Sequence, residues 1–196
     1  RNIMTVKSIP LTLPEKVSMT VIGEAWIRKA ELDRINARQR EAGVSEYANT
    51  RNLAAGTLRQ LDPKVVASRN LQIFSYDIEN ADFDLRDQVS ELETLKSYGF
   101  MVNEMSQHLQ SLEEIQWYYE SLIDKRGDFD YGVDGMVIKI NERDVWDALG
   151  YTAKCPRGGI AYKFPAEQAT SVIESIVCQV GRTGAVTPVA NLSPVL

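Results

Sequence analysis

The nine residues Val133-Asp134-Gly135-Met136-Val137-Ile138-Lys139-Ile140-Asn141 restrict the possible folds more than any other stretch of this chain. Asp-Gly is a turn dipeptide, because glycine takes up positive φ without steric cost. The β-branched run behind it is strand-forming. Alternation puts Val137, Lys139 and Asn141 on one face and Met136, Ile138 and Ile140 on the other. A lysine on an apolar strand must keep its ammonium in water or set it against an anion, since an unpaired buried charge is very costly. Ile160-Ala161-Tyr162-Lys163-Phe164-Pro165 repeats the arrangement. Two lysines on two apolar strands, with arginines elsewhere to join them, point to a cleft that holds phosphate.

The rest of the composition narrows the class. A chain of 196 residues accommodates one domain and part of another. Its 44% hydrophobic and 25% charged residues are ordinary for a globular protein. The net charge of −5 gives no bulk attraction to nucleic acid, so any polyanion must be held by a local basic cluster. Cys155 and Cys178 are too few for a four-cysteine zinc site and lack CxxC spacing, so no metal site is expected; they read as reduced core thiols of a cytoplasmic protein. The absence of a signal peptide or long apolar run argues against secretion and membrane spanning. The chain opens at Arg1 without Met and stops in a strand-like run, as an incomplete piece would.

Along the chain, Ile3 to Leu13 reads as a short extended opening between prolines. Val17 to Ile27 alternates as a strand, with Gly23 marking a bulge or a close approach. Lys29 to Ala42 is helical and ended by Gly43, and Leu53 to Leu61 is a short helix stopped before Pro63. Leu71 to Ile78 is strand-like. Leu85, Val89, Leu92 and Leu95 have helical spacing, with the charges of that helix forming a solvated face and Gly99 closing it. Phe100 to Val102 is a brief strand. Ser111 and Glu114 have capping-box spacing and open a helix through Ile123. A short helix near Val145–Leu149 separates the two lysine strands. From Ala169 the texture becomes a β-hairpin with a glycine-containing turn, the start of a second, all-β domain. The class is α+β.

Several side chains can be read in two ways. Glu24 beside Gly23 is a solvated edge residue or a carboxylate that accepts ribose hydroxyls, with Gly23 admitting the ligand. Arg51 and Arg59, eight residues apart around a small, packable Leu-Ala-Ala-Gly-Thr, are surface residues or a pair whose guanidinium forks face phosphate. Arg126 and Asp134 flank the approach to the first lysine strand and are otherwise turn charges. Lys139 and Lys163 have the strongest individual case, because apolar neighbours leave their charges in need of a partner. Arg157 reads as a solvated loop residue and His108 as a surface residue. Trp117, Tyr118 and Tyr119 read as core and rim of one helix.

Together these segments resemble the adenylation (nucleotidyltransferase) domain of bacterial NAD-dependent DNA ligases. The matching stretches are Gly23-Glu24-Ala25, Ala48 through Pro63, Val133 through Lys139, and Pro156-Arg157 through Tyr162-Lys163-Phe164-Pro165-Ala166-Glu167. Gln179-Val180-Gly181-Arg182-Thr183-Gly184 through Ala190 resembles the opening of that family's OB-fold domain. The resemblance implies an ATP-grasp-like fold of antiparallel sheets and flanking helices over residues 1–168, and the first OB-fold strands over 169–196. It implies NAD and Mg²⁺ as cofactors and nicked duplex DNA as the partner in the full-length enzyme. By that resemblance a lysine attacks the α-phosphate of NAD, nicotinamide mononucleotide leaves, the adenylate passes to the 5′-phosphate of a DNA nick, and the 3′-hydroxyl displaces AMP. Carried onto this chain, Glu24 holds the adenosine ribose, and Lys139 and Lys163 contact the adenylate and its α-phosphate. Arg51, Arg59 and Arg126 serve the leaving group or the nick phosphate, and Asp134 supports the site or its metal. Arg157 lies in a matching turn.

The departures are equally specific. The family's nucleophile lies in a Lys-x-Asp-Gly motif upstream of the Glu24 strand, and no such motif occurs here. The family's nicotinamide-gripping segment, zinc finger and later DNA-binding domains are absent. Ile22 stands where the family often has Arg, Thr50 where it often has Pro, and Gly158-Gly159 where it often has Trp and a small residue, which removes an aromatic packing partner from the pocket. The expectation is therefore a portion of a ligase that does not adenylate itself; the alternative is a non-catalytic nucleotide- or DNA-binding module of the same ancestry. The segment Arg51-Asn52-Leu53-Ala54-Ala55-Gly56 favours the NAD branch over an ATP-dependent relative. Oligomeric state is not legible.

Overall fold

The computed structural model describes residues 1–166 and 168–195. Glu167, the last residue of one matching stretch, lies outside them. The chain forms two compact units, Arg1–Lys163 and Phe164–Leu196.

The first unit is built on two antiparallel pairs, β1 (Thr20–Trp26) with β2 (Gln72–Glu79), and β3 (Gly135–Lys139) with β4 (Gly159–Lys163). Between β1 and β2 run α1 (Lys29–Glu41), α2 (Thr50–Leu58) and α3 (Pro63–Ser68). Their apolar faces meet the sheet in a cluster of Val6, Ile27, Ile35, Leu53, Ala54, Val66, Leu71 and Ile73. The caps follow from the sequence. Asn49 accepts the Asn52 amide at 2.8 Å and starts α2. Pro63 ends the run before it but also opens α3, since proline suits the first helical turn, and Asp62 caps that helix through the Lys64 amide.

A second cluster, Ile78, Leu95 and Val102, gathers the far end of β2 and α4 (Gln88–Ser97). Next comes α5 (Leu112–Asp124), whose Ser111 hydroxyl accepts the Glu114 amide at 3.1 Å. Then α6 (Arg143–Leu149) lies between β3 and β4.

Four expectations are corrected. Phe100 to Val102 is not a strand; the segment is held to β2 by one bond, the Ser75 amide donating to the Met101 carbonyl at 2.7 Å. The opening segment contains a 3-10 turn at Ile3–Thr5. Cys155 and Cys178 are both exposed, not core thiols. The α4 charges are not all solvated, because Glu91 is 1% exposed. It lies one helical turn before Leu95 and shares that residue's buried face.

Gly23 is both bulge and close approach. Pairing skips a residue at this point, Ile22 facing Asp77 while Gly23 faces Ser75, which leaves Tyr76 as the extra residue on β2. A Cβ at Gly23 would lie 2.7 Å from the Phe74 carbonyl oxygen, so no larger residue fits there.

The second unit contains one antiparallel hairpin, β5 (Ile173–Val180) with β6 (Val186–Leu192). Its turn is closed by the Gly181 amide on the Ala185 carbonyl at 2.8 Å, with Gly184 at φ 81°. Both strands are largely exposed.

Candidate functional site

The ladder between β3 and β4 decides where the two lysines stand. Gly135 pairs with Lys163 and Lys139 with Gly159, so both lysines occupy one face at opposite ends of the ladder. Four residues of strand separate them, about 13 Å at ~3.3 Å per residue. Between them the face is open, with Val137 65% exposed. These strands are thus less buried than their apolar sequences suggest, and the two ammonium groups have different surroundings.

At one end, Lys163 Nζ donates to Asp134 Oδ2 at 2.9 Å, and Arg51 reaches the same oxygen at 3.8 Å from the first turn of α2. The hydrogen bond and charge of Lys163, with the Arg51 charge beside it, hold the Asp134 carboxyl below its ordinary range. All three side chains are more than half exposed. Water screening makes this a weak ion-pair cluster energetically, but it presents two oriented cations outward. The Tyr119 hydroxyl donates to the Lys163 carbonyl at 2.7 Å, and its ring stacks on Tyr162 at 4.0 Å, which fixes the end of β4 against α5.

At the other end, the Lys139 side chain is 17% exposed and enclosed by protein acceptors. Its Nζ donates to the Tyr76 carbonyl at 3.1 Å and to Gln88 Oε1 at 2.8 Å, and stands 3.6 Å from Asp77 Oδ2. The bulge explains the first bond: skipping Tyr76 in the β1–β2 ladder leaves its carbonyl available. Lys139 Nζ also stands 5.1 Å from the Tyr76 ring centroid and 5.8 Å from that of Trp146. Arg143 bridges Asp77 at 3.6 Å and Glu91 at 3.5 Å. Glu91 accepts the Ile78 amide. Burial, and then the neighbouring Asp77 carboxylate, push the Glu91 carboxyl up to about 8, against the opposing pull of the Ile78 amide and Arg143.

The remaining candidates lie around these two groups. Glu24 is exposed on β1, one residue past the bulge. Burial, then the charges of Glu24 and Asp77, raise the Tyr76 phenol above its ordinary range. Arg59 caps the C-terminus of α2, about 12 Å along the helix from Arg51 at ~1.5 Å per residue. It is exposed and forms no ion pair among the described residues, so the structure does not bring it to Asp134. Arg126 is half-buried in the turn after α5, its amide donating to the Ile123 carbonyl at 3.1 Å. Arg157 is exposed.

Gly158 is not a gap. A Cβ there would lie 2.5 Å from the Trp146 ring, so an aromatic side chain from α6 already fills that position. The sequence reading passed over Tyr76, Asp77, Gln88, Glu91 and Arg143. Among the described residues no carboxylate cluster is built to hold the magnesium that the resemblance implies. No three His, Cys, Asp or Glu side chains converge among the described residues, and the outward carboxylate of Asp134 already faces two cations.

Residues 1–167 match the family model described as NAD-dependent DNA ligase adenylation domain. Among curated proteins, the chain is 47% identical over 196 residues to a DNA ligase of Clostridioides difficile, covering 100% of this chain and 29% of that protein. It is 44% identical over 196 residues to a DNA ligase of Halalkalibacterium halodurans and 43% identical over 196 residues to one of Shouchella clausii, with the same coverage. The chain thus spans about 29% of the length of these relatives. No helix among the described residues is long and apolar enough to cross a membrane.

Proposed function

The chain belongs to the family of NAD-dependent DNA ligase adenylation domains, and from that premise we propose that it is the nucleotide-handling part of a bacterial cytoplasmic enzyme that seals nicks in duplex DNA with NAD as adenylate donor. The supporting observation is the outward-facing group of Lys163 and Arg51 around Asp134. An ammonium has three N–H donors, and Asp134 takes one of those on Lys163, leaving two for phosphate oxygens. The Arg51 fork beside it suits a second pair of oxygens.

In this reaction a lysine outside these 196 residues, which contain no Lys-x-Asp-Gly, attacks the α-phosphorus of NAD. A P–N bond forms, the P–O bond to nicotinamide mononucleotide breaks, and the departing phosphate carries the negative charge. An oxygen of the nick 5′-phosphate then takes the adenylate from the lysine, and the 3′-hydroxyl displaces AMP to close the strand. Each step moves charge among phosphoryl oxygens, so fixed cations supply much of the rate. Lys163 and Arg51 do this, and Asp134 keeps both aimed. Lys139 serves a different part of the adenylate, since its ammonium is held at the far end of the ladder. Glu24 accepts the ribose hydroxyls, and Arg59 and Arg126 take the leaving group or the nick phosphate. No step is routed through Mg²⁺. The nucleotidyltransferase architecture of residues 1–168 and the OB-fold start at 169–196 belong to the same proposal.

The test is nick sealing by the full-length protein carrying Lys163→Ala. Loss of one preorganised cation should lower the maximal rate about 10²-fold, and Lys163→Arg should recover part of it. A Lys163→Ala protein that seals at the unmodified rate contradicts the assignment. Binding of AMP or nicked DNA with no sealing by the unmodified protein would support the binding-only module instead.

A further inference from the structure

We propose that Gln88 is a positioning residue for the Lys139 ammonium, an inference that rests on reading Lys139 as a cation serving the adenylate. The Gln88 side chain works as a two-sided clamp. Its Nε2 donates to the Tyr76 carbonyl at 3.2 Å while its Oε1 accepts from Lys139 Nζ at 2.8 Å. Tyr76 supplies the reason for the amide's orientation. Turning it over would set Nε2 against the ammonium, donor against donor, and leave the Tyr76 carbonyl facing another acceptor.

The backbone beneath this clamp is tied to the strand that carries the lysine. The Gln88 amide donates to the Asn141 carbonyl at 2.8 Å, and the Val89 amide to Asn141 Oδ1 at 3.2 Å. Asn141 is two residues past Lys139, so the start of α4 is registered on the segment that leaves the lysine's strand. Asp87 holds the helix start through the Ser90 amide at 2.8 Å. These bonds do more than pack two elements together, because they place one neutral acceptor against one ammonium.

Charge explains why a neutral acceptor matters. Asp77 is the only carboxylate within ion-pair distance of Lys139 among the described residues, and at 3.6 Å it is shared with Arg143. Without Gln88 Oε1 the ammonium retains Asp77 and the Tyr76 carbonyl, and the balance pulls it toward the carboxylate. Gln88 instead fixes the nitrogen on the axis between the bulge carbonyl and α4. A misplaced cation costs rate more than affinity, since charge stabilisation in the transition state depends on position.

The experiment uses the full-length protein, with single-turnover self-adenylation from NAD as readout. Gln88→Met keeps the length and removes both polar contacts. Gln88→Glu keeps an acceptor toward Lys139 but makes it charged and loses the donor to the Tyr76 carbonyl. The expected result is a maximal rate about tenfold lower for Gln88→Met, with half-saturation by NAD changed less than about twofold and the melting temperature unchanged. Gln88→Glu, which draws the ammonium to a carboxylate and leaves the Tyr76 carbonyl facing an acceptor, should recover less than about threefold of that loss, and a full recovery would overturn the need for a neutral acceptor. An unmodified rate for Gln88→Met would overturn the inference, as would equal rate losses in both variants that track a common fall in melting temperature. Lys139→Met is measured alongside. If it is slow while Gln88→Met is normal, only the Gln88 inference fails. If Lys139→Met adenylates normally, the role given to Lys139 fails and the inference with it.

Discussion

Glu91 carries a negative charge poorly, being 1% exposed on α4 with the Asp77 carboxylate beside it. The groups facing it are Asp77 on β2, Arg143 on α6 and, through Asp77, Lys139 on β3. Its carboxyl rises from an ordinary 4.5 to about 8, so the folded protein binds a proton that the unfolded chain releases between those values. With more protons bound in the native state, stability falls as pH rises through that window. Below 4.5 both states are protonated and the contribution is complete; above about 8 it is gone. Asp134, whose carboxyl is lowered, titrates below its ordinary 3.8 and leaves this window untouched. Glu91→Gln keeps an acceptor for the Ile78 amide and removes the titration. The melting temperature of the unmodified protein should therefore drop from pH 5 to pH 8 while that of Glu91→Gln stays nearly flat, the variant being the more stable at pH 8. Parallel profiles would contradict the assignment.

Between elements, the contact of α6 with the start of β4 makes a different prediction. Gly158 abuts the Trp146 ring, and an added Cβ would come within 2.5 Å of it. Gly158→Ala should cost ~1–3 kcal/mol by overpacking, and Trp146→Leu in the same background should recover much of it, as chemical denaturation of the four proteins of the cycle would show. Additive losses would mean the two sites are not in contact. This contact also shows where sequence reading ran short. Gly158 alone looked like a missing aromatic, because the ring that fills the position comes from residue 146 and nothing in the local pattern connects them. Elements were legible where local chemistry decides them: Ser111 as a cap, Gly43 as a helix end, Gly23 as a bulge. The acidic residue at 91 fell on a buried helix face because its partners, Asp77 and Arg143, lie on two other elements. A turn-by-turn reading of residues 88, 91, 95 and 98 would have flagged it, since Glu91, Leu95 and Tyr98 are all buried. Lys139 and Lys163 stood out in the sequence as lysines on two apolar strands, but neither their common face, which the β3–β4 register sets, nor their unlike surroundings, which depend on a bulge in another sheet, could be read there.

Over these 196 residues the net charge of −5 gives no bulk attraction to phosphate, so the proposed contacts with phosphate need cations concentrated locally. The outward Lys163 and Arg51 meet that condition locally, side by side at Asp134. Family membership gives these side chains their context, while the chain covers only about 29% of its relatives' length. The proposed reaction therefore needs a nucleophile that these residues do not contain. Intact mass is the most direct test: the full-length protein and the 196-residue chain are each incubated with NAD and Mg²⁺ and weighed. The account predicts that the full-length protein gains the mass of one adenylate and that the 196-residue chain gains none. Covalent adenylate on the short chain would contradict the placement of the nucleophile, and no gain on the full-length protein would contradict the ligase reading itself.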